Sequence, residues 1–133
     1  MKLTIYTDGG ARGNPGPAGI GAVLYDEEFL VKAEISEYLG IATNNQAEYR
    51  ALIAAFQKAQ ELGATELACF LDSELVVRQL NREYKVKNKD LAPLFLAIHN
   101  LSLNFQKIAY THIPRERNAA ADRLANAAMD RGL

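Results

Sequence analysis

Four acidic residues occupy positions that suit metal binding or catalysis: Asp8, Glu48, Asp72 and Asp122. Asp8 and Asp72 each follow a short apolar run of strand length, and Glu48 and Asp122 each lie near the start of a helical apolar repeat. Gathered carboxylates repel one another and raise each other's pKa unless cations are present. With no nearby histidine or cysteine set, such a group favours Mg²⁺ or Mn²⁺ over zinc.

Three of these acids also have ordinary structural explanations when each is taken alone. Asp8 precedes a glycine, a pair that is common in turns. Asp72 suits the N-cap of a following helix, and Asp122 suits the first turn of a helix, where it complements the helix dipole. One acid by itself therefore indicates no particular function.

Glu48 has a different structural alternative, which is a capping box at the start of its helix. Thr43 or Asn45 would be the N-cap, and Gln46 or Glu48 would return the hydrogen bond three residues later. Against this stands the position of Glu48 at the start of an apolar helix face. The sequence leaves both interpretations open.

The composition describes one soluble globular domain, residues 1–133, with 49% hydrophobic and 23% charged residues. A single cysteine, Cys69, excludes a disulfide within the chain and indicates a reducing compartment. The start of the chain lacks the apolar stretch of a signal peptide, and no apolar run is long enough to span a bilayer. We expect a cytoplasmic protein without a membrane partner, and a monomer.

The net charge of -1 argues against a strongly basic nucleic-acid-binding protein, but the charges are unevenly distributed. Residues 78–89, called the basic segment here, carry five cations against Glu83 alone: Arg78, Arg82, Lys85, Lys87 and Lys89. Such a segment can contact a few phosphates with salt-sensitive affinity. The alternative is a solvated helix end and loop.

The apolar periodicity predicts nine elements. The strands are Lys2 to Thr7, Ala18 to Tyr25, Phe29 to Tyr38, Glu66 to Leu71 and Phe105 to Ile113. The helices are Asn44 to Leu62 with Gly63 as its stop, Ser73 to Asn81, Leu91 to Leu103 with Pro93 in its first turn, and one opening at Asn118. Residues 84–90 are predicted to be a loop.

This order predicts an α/β fold with a five-stranded mixed sheet, in which three antiparallel strands are followed by two parallel ones and helices cover both faces. Sites in such sheets gather at the carboxyl ends of parallel strands, where Asp8 and Asp72 are expected. Two helices begin beside them and bring Glu48 and Asp122. Two divalent ions about 3.5–4 Å apart can activate a water and stabilise a leaving oxygen in phosphoryl displacement.

Four separated motifs follow one another over essentially the whole chain: Tyr6-Thr7-Asp8-Gly9-Gly10 with Gly13-Asn14-Pro15-Gly16; Thr43-Asn44-Asn45-Gln46-Ala47-Glu48; Leu71-Asp72-Ser73; and Ile113-Pro114-Arg115-Glu116-Arg117-Asn118 leading to Ala121-Asp122-Arg123-Leu124-Ala125. Together they resemble the type 1 ribonucleases H, which hydrolyse the RNA strand of RNA/DNA hybrids. The resemblance implies the ribonuclease H-like fold over residues 1–133 and two Mg²⁺ ions bound with substrate, with Mn²⁺ as a substitute.

The resemblance also implies roles for the four acids. Asp8 would bridge both ions, Glu48 and Asp72 would hold the ion on the leaving-group side, and Asp122 would hold the ion that carries the nucleophilic water. Cleavage would leave 3′-hydroxyl and 5′-phosphate ends. The family's minor-groove contacts correspond to backbone groups of the Gly9 to Asn14 loop, which includes Gly10, and to the side chains of Asn14, Asn44 and Glu48, with Asn45 as a further candidate. The 2′-hydroxyl read there distinguishes RNA. Thr43 and Asn88 correspond to the two residues that bind a phosphate of the DNA strand in the family.

Two departures from the family pattern affect substrate binding and catalysis. Many bacterial members insert a basic helix-loop protrusion, which is absent here, so the chain resembles the shorter subgroup; we predict weaker affinity for hybrids, with the basic segment as the substitute. A mobile histidine precedes the last acid in many members. Here His112 and Arg115 are competing candidates for that role, and the alternatives are a structural histidine and a surface ion pair with Glu116. His99 and Cys69 are predicted to be structural.

Three functions differ in what they require of these residues. A hybrid-specific endonuclease needs all four acids, whereas a non-catalytic module that only binds hybrids has no evident need for them. A different nuclease of the same fold, such as a junction resolvase, is disfavoured by the asparagine-rich set suited to a 2′-hydroxyl. The sequence therefore favours the endonuclease.

Overall fold

The computed structural model describes residues 1–132 and contains five strands, four α-helices and one short 3-10 turn within that range. The strands are β1 Lys2–Ala11, β2 Gly16–Tyr25, β3 Val31–Ala42, β4 Glu66–Leu71 and β5 Lys107–His112. The helices are α1 Asn44–Glu61, α2 Glu74–Leu80, α3 Ala92–Ser102 and α4 Ala119–Gly132, and the 3-10 turn Arg115–Arg117 precedes α4.

The sheet has the strand order β3-β2-β1-β4-β5. β1, β2 and β3 pair antiparallel, and β4 and β5 are added in parallel to β1 through helical crossovers. The predicted α/β class and mixed sheet are therefore confirmed. No helix within residues 1–132 is long and apolar enough to cross a membrane.

Glycines allow helices to approach the sheet closely on both faces. A Cβ on Gly9 would overlap the backbone of α1 at Ala47, and a Cβ on Gly21 would overlap the backbone of α4 at Ala121. α1 also packs on the main apolar core, which includes Leu3 and Ile5 of β1. These close contacts fix the distance between the sheet and the two helices that carry Glu48 and Asp122.

β1 is longer than predicted, and Asp8 lies inside it rather than in a loop after it. The antiparallel pairing with β2 continues through Asp8↔Gly21 to Ala11↔Ala18, whereas the parallel pairing with β4 ends at Tyr6↔Phe70. Strand length was underestimated because the turn-forming residues after Asp8 still hydrogen-bond to β2. Beyond Tyr6, β1 no longer pairs with β4, so Asp8 lies beside an opening on that side of the strand.

β3 runs to Ala42 and not to Tyr38, because it pairs with β2 as far as Gly16↔Ala42. The extension includes an irregularity in the pairing beside Gly40, whose φ of 78° suits glycine. Predicted starts and ends of the later elements agree with the structure within two residues. Gly63, at φ 80°, follows the end of α1 as predicted.

The helix caps exclude two of the structural alternatives for the acids. Thr43 is the N-cap of α1 and forms its capping box with Gln46, so the capping interpretation of Glu48 is wrong. Ser73, not Asp72, is the N-cap of α2 and accepts the Val76 N–H. Asp122 does lie in the first turn of α4. Neither Glu48 nor Asp72 is therefore needed to start a helix.

Candidate active site

The four predicted acids line one open cleft of about 370 Å³ at the end of β4. Carboxylate oxygens of Asp8, Glu48 and Asp72 lie within 4.8 Å of one another. Asp122 comes from the first turn of α4 and lines the same cleft as these three acids. The structure thus brings together acids that are separated by most of the chain.

Glu48 is placed by the close contact between β1 and α1. Its side chain is 6% exposed, and Oε1 accepts the backbone N–H of Gly9 at 3.0 Å. This hydrogen bond requires the approach that a Cβ on Gly9 would prevent. The second oxygen, Oε2, is buried without a hydrogen-bond partner within the described residues. A buried, unpartnered carboxylate oxygen is costly unless a ligand takes it up.

The cleft is electrostatically unfavourable for its own acids. Burial, followed by the charge of Asp72, raises the pKa of Asp8 to about 7. Burial, followed by the charge of Asp8, raises the pKa of Glu48 well above its usual range. Among residues 1–132 the only ion pair made by these acids joins Arg115 to Asp122, at 3.6 Å. The oxygen-only donor set and the unpaired Glu48 oxygen fit a hard divalent cation.

Arg115 and His112, the competing candidates, occupy different places. Arg115 lines the cleft in the 3-10 turn, with a side chain that is 80% exposed and close to Asp122. His112 is the last residue of β5, is exposed, and is not among the residues that line the cleft. The structure therefore places the arginine, and not the histidine, beside the acids.

The residues predicted to contact the minor groove form a hydrogen-bonded rim. Asn44 Oδ1 accepts the Ala11 N–H at 2.8 Å, and Asn14 Oδ1 accepts the Asn44 N–H at 3.0 Å. The oxygen of each amide is thereby held by backbone, and each Nδ2 has no partner within residues 1–132. Gly9, Gly10, Asn44 and Asn45 line the cleft itself.

Thr43 and Asn88 do not line this cleft, and each is engaged locally. Thr43 Oγ1 accepts the Gln46 N–H, and Asn88 Oδ1 accepts the Asp90 N–H at 2.7 Å. A separate groove of about 250 Å³ is lined by their neighbours Ala42, Gln46 and Asp90, together with Arg50. Arg50 could not be found from the sequence, because one cation on an exposed helix face has no distinguishing pattern.

Two further residues that line the cleft, and a third that hydrogen-bonds to one of its acids, were not assigned a site role from sequence. Arg12 lines it and forms an ion pair with Asp130 at 2.6 Å. Asn126 lies one helical turn after Asp122 on α4, a spacing that could have identified it. Asn118, only 1% exposed, donates from Nδ2 to Thr7 O at 2.8 Å and to Asp72 Oδ2 at 3.0 Å. Its partners are too distant in sequence to be read from a local pattern.

Comparison with known proteins gives the same fold and the same arrangement of elements. A family model described as reverse transcriptase-like matches residues 6–128. The structure of RNase H1 from the halophilic archaeon Halobacterium salinarum is 40% identical with a TM-score of 0.95, over 98% of this chain and 99% of that one. The chain belongs to the ribonuclease H family.

Two further ribonucleases H are similar over nearly all of this chain. LC11-RNase H1, isolated from compost by a metagenomic approach, was solved in complex with an RNA/DNA hybrid; it is 47% identical with a TM-score of 0.93, over 98% of each chain. The bifunctional protein Rv2228c of Mycobacterium tuberculosis is 52% identical over 98% of this chain. This chain spans only 36% of the length of Rv2228c. The solved structure that matches is the N-terminal RNase H domain of that protein, 51% identical with a TM-score of 0.95, so the similarity concerns this domain alone.

The predicted absence of the basic protrusion agrees with the structure. α2 ends at Leu80 and α3 begins at Ala92, with turns and irregular backbone but no further helix between them. Arg82, Lys85, Lys87 and Lys89 are all exposed there. The chain thus resembles a short form of the family in which exposed cations occupy the connection.

Proposed function

We propose that this domain is a metal-dependent endonuclease that hydrolyses the RNA strand of RNA/DNA hybrids. The observation that carries the proposal is the cluster of Asp8, Glu48 and Asp72 oxygens within 4.8 Å, with Asp122 beside it. The hybrid bound by LC11-RNase H1, 47% identical to this chain, supports the substrate class.

The donor set suits two Mg²⁺ ions, for which Mn²⁺ can substitute. Asp8 would contact both ions, Glu48 and Asp72 would hold one, and Asp122 would hold the other. Bound divalent ions make a water more acidic and neutralise charge that develops on a leaving oxygen. The protein's part is to keep its carboxylates charged and correctly placed. Products with 3′-hydroxyl and 5′-phosphate ends belong to the same proposal.

Strand choice is proposed to depend on the asparagine rim. Because Asn14 and Asn44 use their oxygens to hold backbone N–H groups, their Nδ2 groups are oriented as donors. A ribose 2′-hydroxyl is both an acceptor and a donor, whereas deoxyribose offers neither. The backbone at Gly9 and Gly10 and the amide of Asn45 would complete this surface.

The DNA strand is proposed to contact the surface near Thr43 and Asn88. The groove beside them contains the exposed cation Arg50, which is suited to a phosphate. The basic segment would add contacts further along the hybrid. These contacts set affinity and register rather than the rate of the chemical step.

We propose Arg115, not His112, as the group that assists the chemistry. Its guanidinium is permanently charged and lies 3.6 Å from the Asp122 carboxylate. From this position it can neutralise negative charge on the scissile phosphate. His112, exposed at the end of β5 and away from the cleft lining, is then a surface residue.

A cleavage assay distinguishes this function from the alternative hybrid-binding module. End-labelled RNA/DNA hybrid, double-stranded RNA, single-stranded RNA and duplex DNA are each incubated with Mg²⁺, with Mn²⁺ and with a chelator. We expect cleavage of the hybrid alone, only with metal, and none by Asp8→Asn protein purified in parallel. Hybrid that is bound but uncut in both metals would instead establish the binding module.

Two properties stay predictions from sequence: a monomeric state and a cytoplasmic location. The first is tested by light scattering after size-exclusion chromatography. Because this chain spans 36% of the length of Rv2228c, both predictions concern the domain alone.

A further inference from the structure

Asn118 connects the segments that carry three of the four acids, Asp8, Asp72 and Asp122, although it is not itself a carboxylate. Its side-chain Nδ2 donates to the carbonyl of Thr7, the residue before Asp8, across 111 positions of sequence. The same Nδ2 donates to Oδ2 of Asp72, across 46 positions. One buried amide therefore contacts both β1 and the end of β4 at the edge of the cleft.

The backbone of Asn118 connects the segments that carry Arg115 and Asp122. Its N–H donates to Arg115 O at 3.0 Å, and its carbonyl accepts the N–H of Asp122 at 3.0 Å. The residue thus joins the 3-10 turn that carries Arg115 to the first turn of α4. A shift of this segment would move Asp122 relative to Asp8 and Asp72.

The chemistry of the two acceptors fixes the orientation of the amide. A backbone carbonyl and a carboxylate oxygen cannot donate, so only the NH₂ end of Asn118 can satisfy both. The Oδ1 end is left buried without a partner within the described residues. Burying an unpartnered oxygen is unfavourable, so the presence of Asn118 is explained by the two hydrogen bonds that its Nδ2 donates rather than by packing.

We propose that Asn118 is a positioning residue for the metal-binding acids. It holds one oxygen of Asp72, so that the other is presented to the cleft, and it keeps Asp8 and Asp122 in register with Asp72. The inference rests on the proposed metal-dependent function. It concerns a residue that orients metal ligands without touching the ion or the substrate.

Metal binding without substrate is the primary test. Mn²⁺ and Mg²⁺ are titrated calorimetrically into wild-type and Asn118→Ala protein, at a temperature where circular dichroism shows both to be folded. We expect metal affinity to fall about 10- to 100-fold in the variant, as is typical when a partner of a metal ligand is removed. Wild-type affinity in a folded Asn118→Ala protein would overturn the proposal.

A control separates positioning from loss of a hydrogen bond in general. Asn81 also donates its Nδ2 to a strand carbonyl, Tyr110 O at 3.1 Å, but it lies away from the acids. Asn81→Ala should leave metal affinity unchanged, whatever its effect on the melting temperature. If both variants weakened metal binding equally, Asn118 would be only structural.

A double-mutant cycle covers the case in which Asn118→Ala does not fold. Asn118→Ser keeps a single donor, and its effect on Mn²⁺ affinity is compared in the wild-type and Asp72→Ala backgrounds. We expect a loss in the first background and little or none in the second, because the carboxylate being oriented is gone. Equal losses in both backgrounds would contradict a role through Asp72.

Kinetics supply a readout that is independent of stability. In Asn118→Ala the Mg²⁺ concentration for half-maximal rate should rise and kcat should fall, while KM for the hybrid stays near its wild-type value. A raised KM with an unchanged Mg²⁺ requirement would overturn the proposal. If wild-type protein cleaves no hybrid, the proposed function fails, but calorimetry still decides whether Asn118 positions the acids.

Discussion

The acid cleft and the basic segment carry opposite charges and are built in opposite ways. The cleft takes its acids from β1, α1, the end of β4 and α4, and these four acids are buried or half-buried. The basic segment is continuous in sequence, and Lys85, Lys87 and Lys89 are exposed. Arg78, at the start of this segment, contacts residues close to it in sequence: it pairs with Glu74 at 3.6 Å and packs over the Tyr84 ring.

This difference indicates how each region contributes to function. In the cleft, repulsion between fixed carboxylates costs folding stability, and the same arrangement provides ligands for cations. In the basic segment, solvent-exposed charges cost little and can adapt to a phosphate backbone. Substitutions of the cleft acids should therefore lower activity and raise stability. Substitutions in the basic segment should change only the affinity for the hybrid and the salt dependence of that affinity.

Asp8→Asn should have the largest effect on activity and an opposite effect on stability. We expect no detectable hybrid cleavage, because the residue proposed to contact both metal ions is lost. The pKa of Asp8 is raised to about 7 from 3.8, so the folded state binds more protons than the unfolded state between these values. Metal-free wild-type stability should therefore fall as pH rises from about 4 to 7, by on the order of a few kcal/mol.

Asn at this position carries no charge, so the variant should be more stable than the wild type at pH 8 without metal and should show a weaker pH dependence. Thermal unfolding followed by circular dichroism with a chelator measures both properties. Saturating Mg²⁺ should remove most of the difference by stabilising the wild type. A large loss of stability in Asp8→Asn would mean that Asp8 has a structural role instead.

Gly9→Ala should disturb the cleft by displacing α1, the helix that carries Glu48. The added Cβ would overlap the Ala47 backbone and lie 2.6 Å from the Glu48 backbone nitrogen, so α1 must move. We expect a loss of about 1–3 kcal/mol in stability and a large loss of activity. Urea unfolding checks the first and the cleavage assay checks the second.

Gly10→Ala is the matched control for stability, because its nearest neighbours lie 3.8 and 4.0 Å from the added Cβ. Its free energy of unfolding should stay close to that of the wild type. If the two alanine variants were equally stable, the close approach of α1 at Gly9 would not be what places Glu48.

Arg115→Ala should lower kcat by about 10- to 100-fold, and His112→Ala should change it little. Removal of a preorganised donor typically costs about 10²–10³-fold, and an exposed arginine should contribute less. Single-turnover rates at saturating hybrid separate the chemical step from product release. A larger loss in His112→Ala would assign the assisting role to the histidine.

Joint replacement of Lys85, Lys87 and Lys89 by glutamine should have the smallest effect on turnover. We expect the dissociation constant for the hybrid to rise several-fold at moderate salt, and the slope of log affinity against log salt to fall by about 2–3. The control replaces Lys2, Lys32 and Lys58, an equal change of charge at other sites. Equal dissociation constants for wild type and the basic-segment variant would exclude this segment as the substitute for the protrusion.

Most of the fold could be predicted because the apolar periodicity is strong and the elements are short. Strand β4 was predicted at its observed bounds, and Gly63 was correctly placed after α1. The ends of β1 and β3 were missed because they depend on pairing with β2 and not on local propensity. Turn-forming residues such as Gly9 and Gly10 can continue a strand when a partner strand is present.

The residue types and their order were enough to predict that four acids meet at one edge of a mixed sheet and that they suit hard divalent ions. Only the tertiary structure decided how they are held. Asp8 lies within β1, Gly9 brings α1 close enough to hold Glu48, and Asn118 joins Asp72 to β1. These contacts span up to 111 positions of sequence. Local patterns report only propensity and periodicity, so a bond between such distant residues becomes visible only when the strands and helices are packed.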